Sequence, residues 1–516
     1  MLPCAPVVDA LQHLDEVETC ATAHLLAVAH EAHRSGLAHC LEPALAAHSL
    51  GLDHPEALPP SPPGSGKQVR DSFGVPESLE SDNFVVRWGN YVEEDEAQAV
   101  LDVFEATWTA LVVDDDYPGP WGTDSYKFNV YIGDSGGNTP SSLGYGGYYW
   151  VDGDGWPMVV MSRDALEDPE MLEVTGSHEF FHALQAGIDS YGYEGDGAWF
   201  WEATATWAAG HVYPDNTDYA VFLFGWAYQP HLSVDFFDYP DGGTFDLTEY
   251  HQYGAFIWPQ YLVEHALGPE LIRDAWLEGS AIDPLDPMHV LDELAAEGGV
   301  DLEEAFADFA VRNVTWDYAH GDAYAEWVDV YRFSFDSDRL VATHVGHSNG
   351  WAQPAASLQT RPWGVSYVAF TGLGSDVTVG FEADVSAQSA VTWWVNAVVV
   401  DDDGYTVTPI ELEAGTGEQR VPAADGASKL WLVVAATAER GVPDTALSWR
   451  YRVDSEASSG GDGGGAGPGE EPGGCSCGTG AAGFWLFALA AAARRRSSTT
   501  ASTSAPSRMP VDTRCR

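Results

Sequence analysis

Hydrophobic positions at the start of the chain follow a helical spacing. In residues 21–50, ATAHLLAVAHEAHRSGLAHCLEPALAAHSL, apolar side chains recur every three or four positions. The sequence LPPSPPGSG at 58–66 then ends the pattern, as a linker would. We therefore expect residues 1–66 to form a separate helical segment, and a pro-segment that covers a functional site until it is removed is one role for it.

The pattern changes to short apolar runs mixed with amphipathic helices between residues 67 and 338. This mixture predicts an α+β domain, in which a mixed sheet and an active-site helix precede a helical subdomain. The predicted strands are 83–89, 127–134, 146–151 and 157–163, and the predicted helices include 94–111, 253–279 and 302–319.

Short strands separated by turn residues dominate the chain from 339 to 454 and predict an all-β, sandwich-like domain. No internal repeat of helical or propeller length accompanies them. Six strands are predicted, at 365–373, 376–384, 390–400, 405–412, 429–438 and 447–454.

The C-terminal residues have a different composition. A glycine-rich linker at 455–474 precedes residues 475–496, in which CSCGTG, an apolar run of 13 residues and RRR follow one another, and a Ser/Thr-rich tail occupies 497–516. The apolar run is shorter than the roughly 20 residues that a membrane-spanning helix needs. A stable membrane anchor is therefore not expected.

Charge excludes one class of function. The chain carries 79 Asp and Glu against 22 Lys and Arg, a net charge of −57, whereas nucleic-acid binding requires a basic surface. Such acidity suits a protein dispersed outside the cell. The first residues, MLPCAPVVDALQHLDEVETC, show neither the basic end nor the apolar run of a signal peptide. We expect an extracellular or outer-surface location.

The six cysteines leave residues 41–474 without any. Disulfides can therefore tie only the terminal segments, and the main body depends on its hydrophobic core. Cys40 is either a small buried apolar residue or a contact to a regulatory metal.

The sequence GSHEFFHALQ at 176–185 carries the candidate chemistry. On a helix, His178 and His182 are one turn apart and share a face, so both imidazoles can reach one ion, while Glu179 lies about 100° around the helix, where it can accept a proton from water. Catalytic zinc usually has three protein ligands. Glu202, in the helical run GAWFWEATATWAAG, is the candidate third ligand because a buried carboxylate among aromatic side chains needs a partner.

This HExxH motif with a Glu 20 residues beyond its second His resembles the gluzincin metallopeptidases, at the spacing of the thermolysin-like enzymes. The longer match, HEFFHALQ with WFWEATATWAAGHVYPD and YGAFIWPQYL, resembles a family of secreted myxobacterial metalloproteases, whose C-terminal sorting signal (MYXO-CTERM) residues 475–496 also resemble. The resemblance implies a zincin-like fold and one catalytic Zn²⁺ held by His178, His182 and Glu202. It further implies that Glu179 is the general base and that proteins or peptides are the substrates.

Two further expectations come with the resemblance. Thermolysin-like enzymes carry an Asp four residues after the ligand Glu, where this chain has Thr206, so another group must orient a ligand His. Peptide hydrolysis also needs a donor to the developing oxyanion. Tyr253 matches the family best. The alternatives are Tyr193, Tyr250 and His251.

Other interpretations stay open from the sequence. A surface-binding or adhesive protein with a structural or inactive metal site would use exposed aromatic residues, for example TWW at 392–394. A metal-dependent hydrolase of another bond is a further alternative. The DGDG sequence at 152–155 predicts a hairpin turn in preference to a Ca²⁺ loop. The segment 475–496 is the candidate contact to a membrane or to sorting machinery.

Overall fold

The computed structural model describes most of the chain up to residue 456. Tyr193, the linker residues 55–65, the predicted boundary near residue 338 and everything after residue 456 lie outside the described residues, so the predictions for them are not addressed. The described ranges are 4–12, 21–46, 48–54, 66–143, 146–192, 197–238, 247–283, 285–332, 350–385, 389–402 and 404–456.

Three helices form the N-terminal segment: α1 (Ala5–Gln12), α2 (Ala21–Arg34) and α3 (Leu41–Ala46). A disulfide joins Cys4 to Cys40. His39 lies beside this pair, and the three residues are close enough to hold an ion. The suggested metal contact of Cys40 is nevertheless wrong for this structure, because its sulfur is bonded to another sulfur and carries no free thiolate.

A five-stranded mixed sheet follows, in the order β1-β2-β3-β5-β4. β2, β3 and β5 are parallel to one another, and β1 and β4 are antiparallel edge strands. Side chains alternate between the two faces, so one face packs against α4 (Glu94–Trp108) and the opposite face packs against the N-terminal segment. The strands are β1 (Glu77–Glu80), β2 (Phe84–Trp88), β3 (Phe128–Ile132), β4 (Gly147–Val151) and β5 (Pro157–Met161).

The DGDG sequence forms the turn between β4 and β5, as predicted. Asp152 is buried, and one of its carboxylate oxygens accepts hydrogen bonds from the backbone N–H groups of Asp154 and Trp156. Its other oxygen accepts from the Ser72 hydroxyl. The carboxylate therefore closes a hairpin turn.

The helical part of the domain packs beside α4 on the same face of the sheet and extends away from it. The sequence predicts one helix over 253–279, but the backbone breaks there, since Gly268 adopts a φ of 90° that other residues rarely take and Pro269 follows it. The helices are α5 (Pro169–Ile188), α6 (Ala198–Val212), α7 (Leu223–Ala227), α8 (His251–Gly254), α9 (Ile257–Tyr261), α10 (Glu270–Ile282), α11 (Pro287–Glu297), α12 (Leu302–Arg312) and α13 (Gly321–Arg332).

Two antiparallel sheets, β10-β7-β12 and β6-β11-β8-β9, enclose an apolar core of their own. The outer face of the four-stranded sheet packs on the helices, where the Tyr367 hydroxyl donates to the Ala310 carbonyl. The chain is thus an α+β domain followed by a β-rich domain. The strands are β6 (Gly364–Thr371), β7 (Ser375–Ala383), β8 (Val391–Asp401), β9 (Gly404–Pro409), β10 (Thr416–Arg420), β11 (Lys429–Ala438) and β12 (Trp449–Glu456).

None of the helices within the described ranges is long and apolar enough to span a membrane.

Candidate metal and catalytic site

The HExxH sequence lies in the middle of α5, as predicted. Asp168 caps the start of this helix by accepting hydrogen bonds from the N–H groups of residues 170 and 171, and Pro169 supplies a fixed φ at the first position. The Phe180 ring packs 5.4 Å from Phe84 and 5.8 Å from Phe128, measured between ring centroids. This packing fixes the rotation of α5, so that the opposite face of the helix points toward α6.

His178, His182 and Glu202 meet where α5 crosses α6. The two Nε2 atoms are 3.1 Å apart, and the Glu202 Oε2 lies 3.3 Å from His178 Nε2 and 3.6 Å from His182 Nε2. His182 and Glu202 are fully buried, and His178 is 6% exposed. The structure therefore brings together the three residues that the sequence singled out as ligands.

The spacing of these three atoms fits a zinc ion. Zinc bonds of about 2.0–2.1 Å in a tetrahedron hold neighbouring ligand atoms about 3.3 Å apart. The three measured separations surround this value. Two imidazoles and one carboxylate are also a donor set of catalytic zinc sites, in which the fourth position stays open.

Burial and charge act against each other at this site. Burial would raise the pKa of Glu202, but the neighbouring His182 and His178 lower it to about 2. Burial would likewise lower the pKa of His182, but the Glu202 carboxylate raises it above its ordinary value. The carboxylate is thus ionised, and it favours a proton on His182. A divalent cation would replace that proton.

Gln185 orients His182, and sequence reasoning missed it. Its Oε1 atom lies 2.6 Å from His182 Nδ1, while its Nε2 donates to the Trp201 carbonyl and the Thr204 hydroxyl at 2.9 and 3.0 Å. Since the amide oxygen can only accept, His182 must carry its proton on Nδ1, which leaves Nε2 free to bind a metal. Thr206, at the position of the missing Asp, makes no hydrogen bond through its hydroxyl within the described residues.

The candidate general base, Glu179, is covered by the N-terminal segment. The Thr22 hydroxyl in α2 lies 3.1 Å from Glu179 Oε2, and it also accepts from the Tyr149 N–H and lies 3.2 Å from the Tyr149 carbonyl oxygen. Glu179 is 1% exposed in this arrangement. Thr22 thus contacts both the Glu179 carboxylate and the backbone in the middle of the edge strand β4.

Tyr253 lies closest to the histidines among the described oxyanion candidates. Its ring stacks 6.3 Å from the His178 ring at an angle of 28°. Gly254 lets α8 pack closely on α7, because a Cβ atom there would lie 2.4 Å from the Trp226 backbone nitrogen. Tyr250 packs on Phe224, farther out.

His251, another candidate, lies two positions before Tyr253 on α8, about 200° around the helix axis. Its ring contacts Phe236 edge to face, and burial lowers its pKa to about 3. Tyr193 lies outside the described residues.

Comparison with known protein families finds a match over most of the chain. The model of a family of unknown function (DUF6055) matches residues 65–457, which include both the site and the β-rich domain. No curated protein matches the chain.

Proposed function

Since the chain belongs to a family of unknown function (DUF6055), its activity must be argued from the site, and we propose that it is a zinc-dependent endopeptidase. The observation that carries the proposal is the convergence of His178, His182 and Glu202 at zinc-like spacing, with Glu179 on the same helix. A purely structural zinc site would need four protein ligands, which leave no open coordination position. Three ligands beside a carboxylate favour catalysis.

Each residue has a role in this proposal. Zinc, when bound, supplies Lewis-acid activation of the scissile carbonyl and of water. Glu179 accepts the proton of the attacking water and passes it to the leaving amine. The Tyr253 hydroxyl donates to the oxygen that becomes negative. Gln185 keeps His182 in the tautomer that binds metal.

The edge strand β4 favours a polypeptide substrate over other hydrolysable compounds. Tyr149, in the middle of β4, directs its N–H and carbonyl out of the sheet, since a side chain from outside contacts both. An extended peptide that pairs with these groups lies beside Glu179. Backbone pairing recognises main chain, which matches the proposed peptide-bond cleavage.

The adhesive alternative gains no support from the aromatic residues that suggested it. Trp393 packs on Phe381, and the Trp394 indole donates to the Thr437 hydroxyl and packs toward the helices. Both side chains are therefore half-buried and pack on other residues of this chain. The acidic surface, with a net charge of −57, favours a secreted or outer-surface peptidase.

The test compares Glu179→Gln with a control, Glu170→Gln, which neutralises an exposed carboxylate in the first turn of the same helix. We expect one zinc per chain in all proteins, with casein hydrolysis reduced about 10²- to 10⁴-fold in Glu179→Gln alone. Zinc is measured by elemental analysis after reconstitution. Absence of zinc, or full activity of Glu179→Gln, would contradict the proposal.

A further inference from the structure

The N-terminal segment, defined here as residues 4–54, contacts the two features that a peptide substrate would use. The Thr22 hydroxyl accepts from the Tyr149 N–H, and its single proton lies within reach of both the Glu179 carboxylate and the Tyr149 carbonyl oxygen. A substrate paired with β4 would need these backbone groups, and the attacking water would need the carboxylate. We propose that α2 is an inhibitory element that closes the active site until it is displaced.

This inference rests on the proposed function, because it assigns α2 to the substrate position of that site. The geometry of the contact supports it. Through its hydroxyl, Thr22 takes the place of the acceptor that a paired strand would offer to the Tyr149 N–H, and it covers the Tyr149 carbonyl oxygen at 3.2 Å. The hydroxyl is fully buried. Water and an extended peptide are therefore both excluded while α2 is in place.

The rest of the segment holds α2 at the site without touching the catalytic residues. Gly51 donates to the Val151 carbonyl at 2.8 Å and accepts from the Trp150 indole at 2.6 Å. The Cys4–Cys40 disulfide ties α1 to the residues just before α3. Apolar side chains outside α2 complete an anchor on the outer face of the sheet: Val7, Leu11, Leu41, Leu45 and Leu50 pack with Tyr131, Tyr148, Trp150, Met158 and Val160.

This anchor lies away from the contact of Thr22 with Glu179. The contacts of residues 50 and 51 lie at the β4–β5 turn, and the apolar anchor lies on the face of the sheet opposite α5. Residues 1–54 also lie outside the part of the chain that the family model matches, 65–457. The contact with Glu179 is thus made by a residue, Thr22, that lies outside the matched region carrying the site.

The test uses the full chain with Thr22→Val, Thr22→Glu and the control Val8→Glu. Val8 is on the same segment but is 39% exposed, so a carboxylate there meets solvent. A hydrogen bond to a charged group contributes about a factor of ten to an equilibrium. We expect casein hydrolysis to rise about tenfold in Thr22→Val and further in Thr22→Glu, where like charges repel, and to stay unchanged in Val8→Glu.

Amide hydrogen exchange of Tyr149 reports whether the contact has opened, since its N–H donates to Thr22. Faster exchange with unchanged casein hydrolysis would show that α2 is only a structural layer and would overturn the inference. If no variant hydrolyses casein, binding of a peptide hydroxamate to the zinc-loaded proteins decides between the two proposals. Tighter binding by Thr22→Glu would support the closing role and contradict the peptidase, whereas equal or no binding would contradict both.

Discussion

Gln185 is the residue whose replacement tests the metal site most sharply. In Gln185→Leu, the Nδ1–H of His182 loses its acceptor, and because His182 is fully buried, water does not replace it. Partners of this kind contribute about 10- to 100-fold to metal affinity, or about 1.4–2.7 kcal/mol. We expect the zinc dissociation constant of Gln185→Leu to rise by that factor, measured by competition with a chromophoric chelator at neutral pH.

Two further variants separate orientation of the ligand from general stability. Gln185→Glu keeps an oxygen for His182 but loses the donor to Trp201 and Thr204. It should retain zinc affinity while its free energy of unfolding falls by about 1 kcal/mol for each lost hydrogen bond. Thr206→Val is the matched control on α6, since its hydroxyl has no hydrogen-bond partner in the described structure. Zinc affinity of Gln185→Leu equal to that of the unmodified protein, or an equal loss in Thr206→Val, would refute the assignment.

Three other predictions follow from single contacts. Tyr253→Phe should lower kcat for peptide hydrolysis about 10²- to 10³-fold with zinc content unchanged, whereas Tyr250→Phe should not, and equal effects would exclude the oxyanion role. Burial lowers the pKa of His251 to about 3, so below about pH 6.5 the unfolded chain binds a proton that the folded chain does not. The free energy of unfolding, measured in urea, should therefore fall by about 2 kcal/mol between about pH 6.5 and about pH 5. This part of the pH dependence should vanish in His251→Phe. Cys4→Ser removes a cross-link between residues 36 apart and should destabilise the N-terminal segment by up to about 4 kcal/mol in denaturant unfolding, an effect that disappears if both proteins are reduced.

The sequence predicted the strands whose side chains are buried and whose apolar pattern is therefore clear. The strands of the central sheet that carry apolar residues on both faces, such as β3 and β5, were found because both faces are covered. β10, TGEQR, was missed because every side chain is exposed or half-exposed, and only its backbone pairing with β7 makes it a strand. The helix predicted over 253–279 failed at Gly268, where backbone conformation outweighs apolar spacing.

The ligand set could be predicted because helix geometry alone places His178 and His182 on one face, and because the cost of burying Glu202 demands a partner. The residues that support the ligands carry no such signal. Gln185 follows His182 by three positions, a spacing that allows contact on a helix, but the contact matters only because α6 presents Trp201 and Thr204 to the other end of the same amide.

Thr22 is even harder to predict from the sequence than Gln185, since 157 residues separate it from Glu179 and no catalytic motif lies near it in the chain. Its position depends on the apolar packing of α2 against the face of a sheet whose strands come later in the sequence. The apolar spacing in residues 21–50 shows that this helix needs a surface to cover, but which surface follows only from tertiary packing. Packing of α2 places the short polar side chain of Thr22 against Glu179, and this position gives Thr22 its proposed role. Substitution of Thr22, and not of the exposed Val8, should therefore change access to the site.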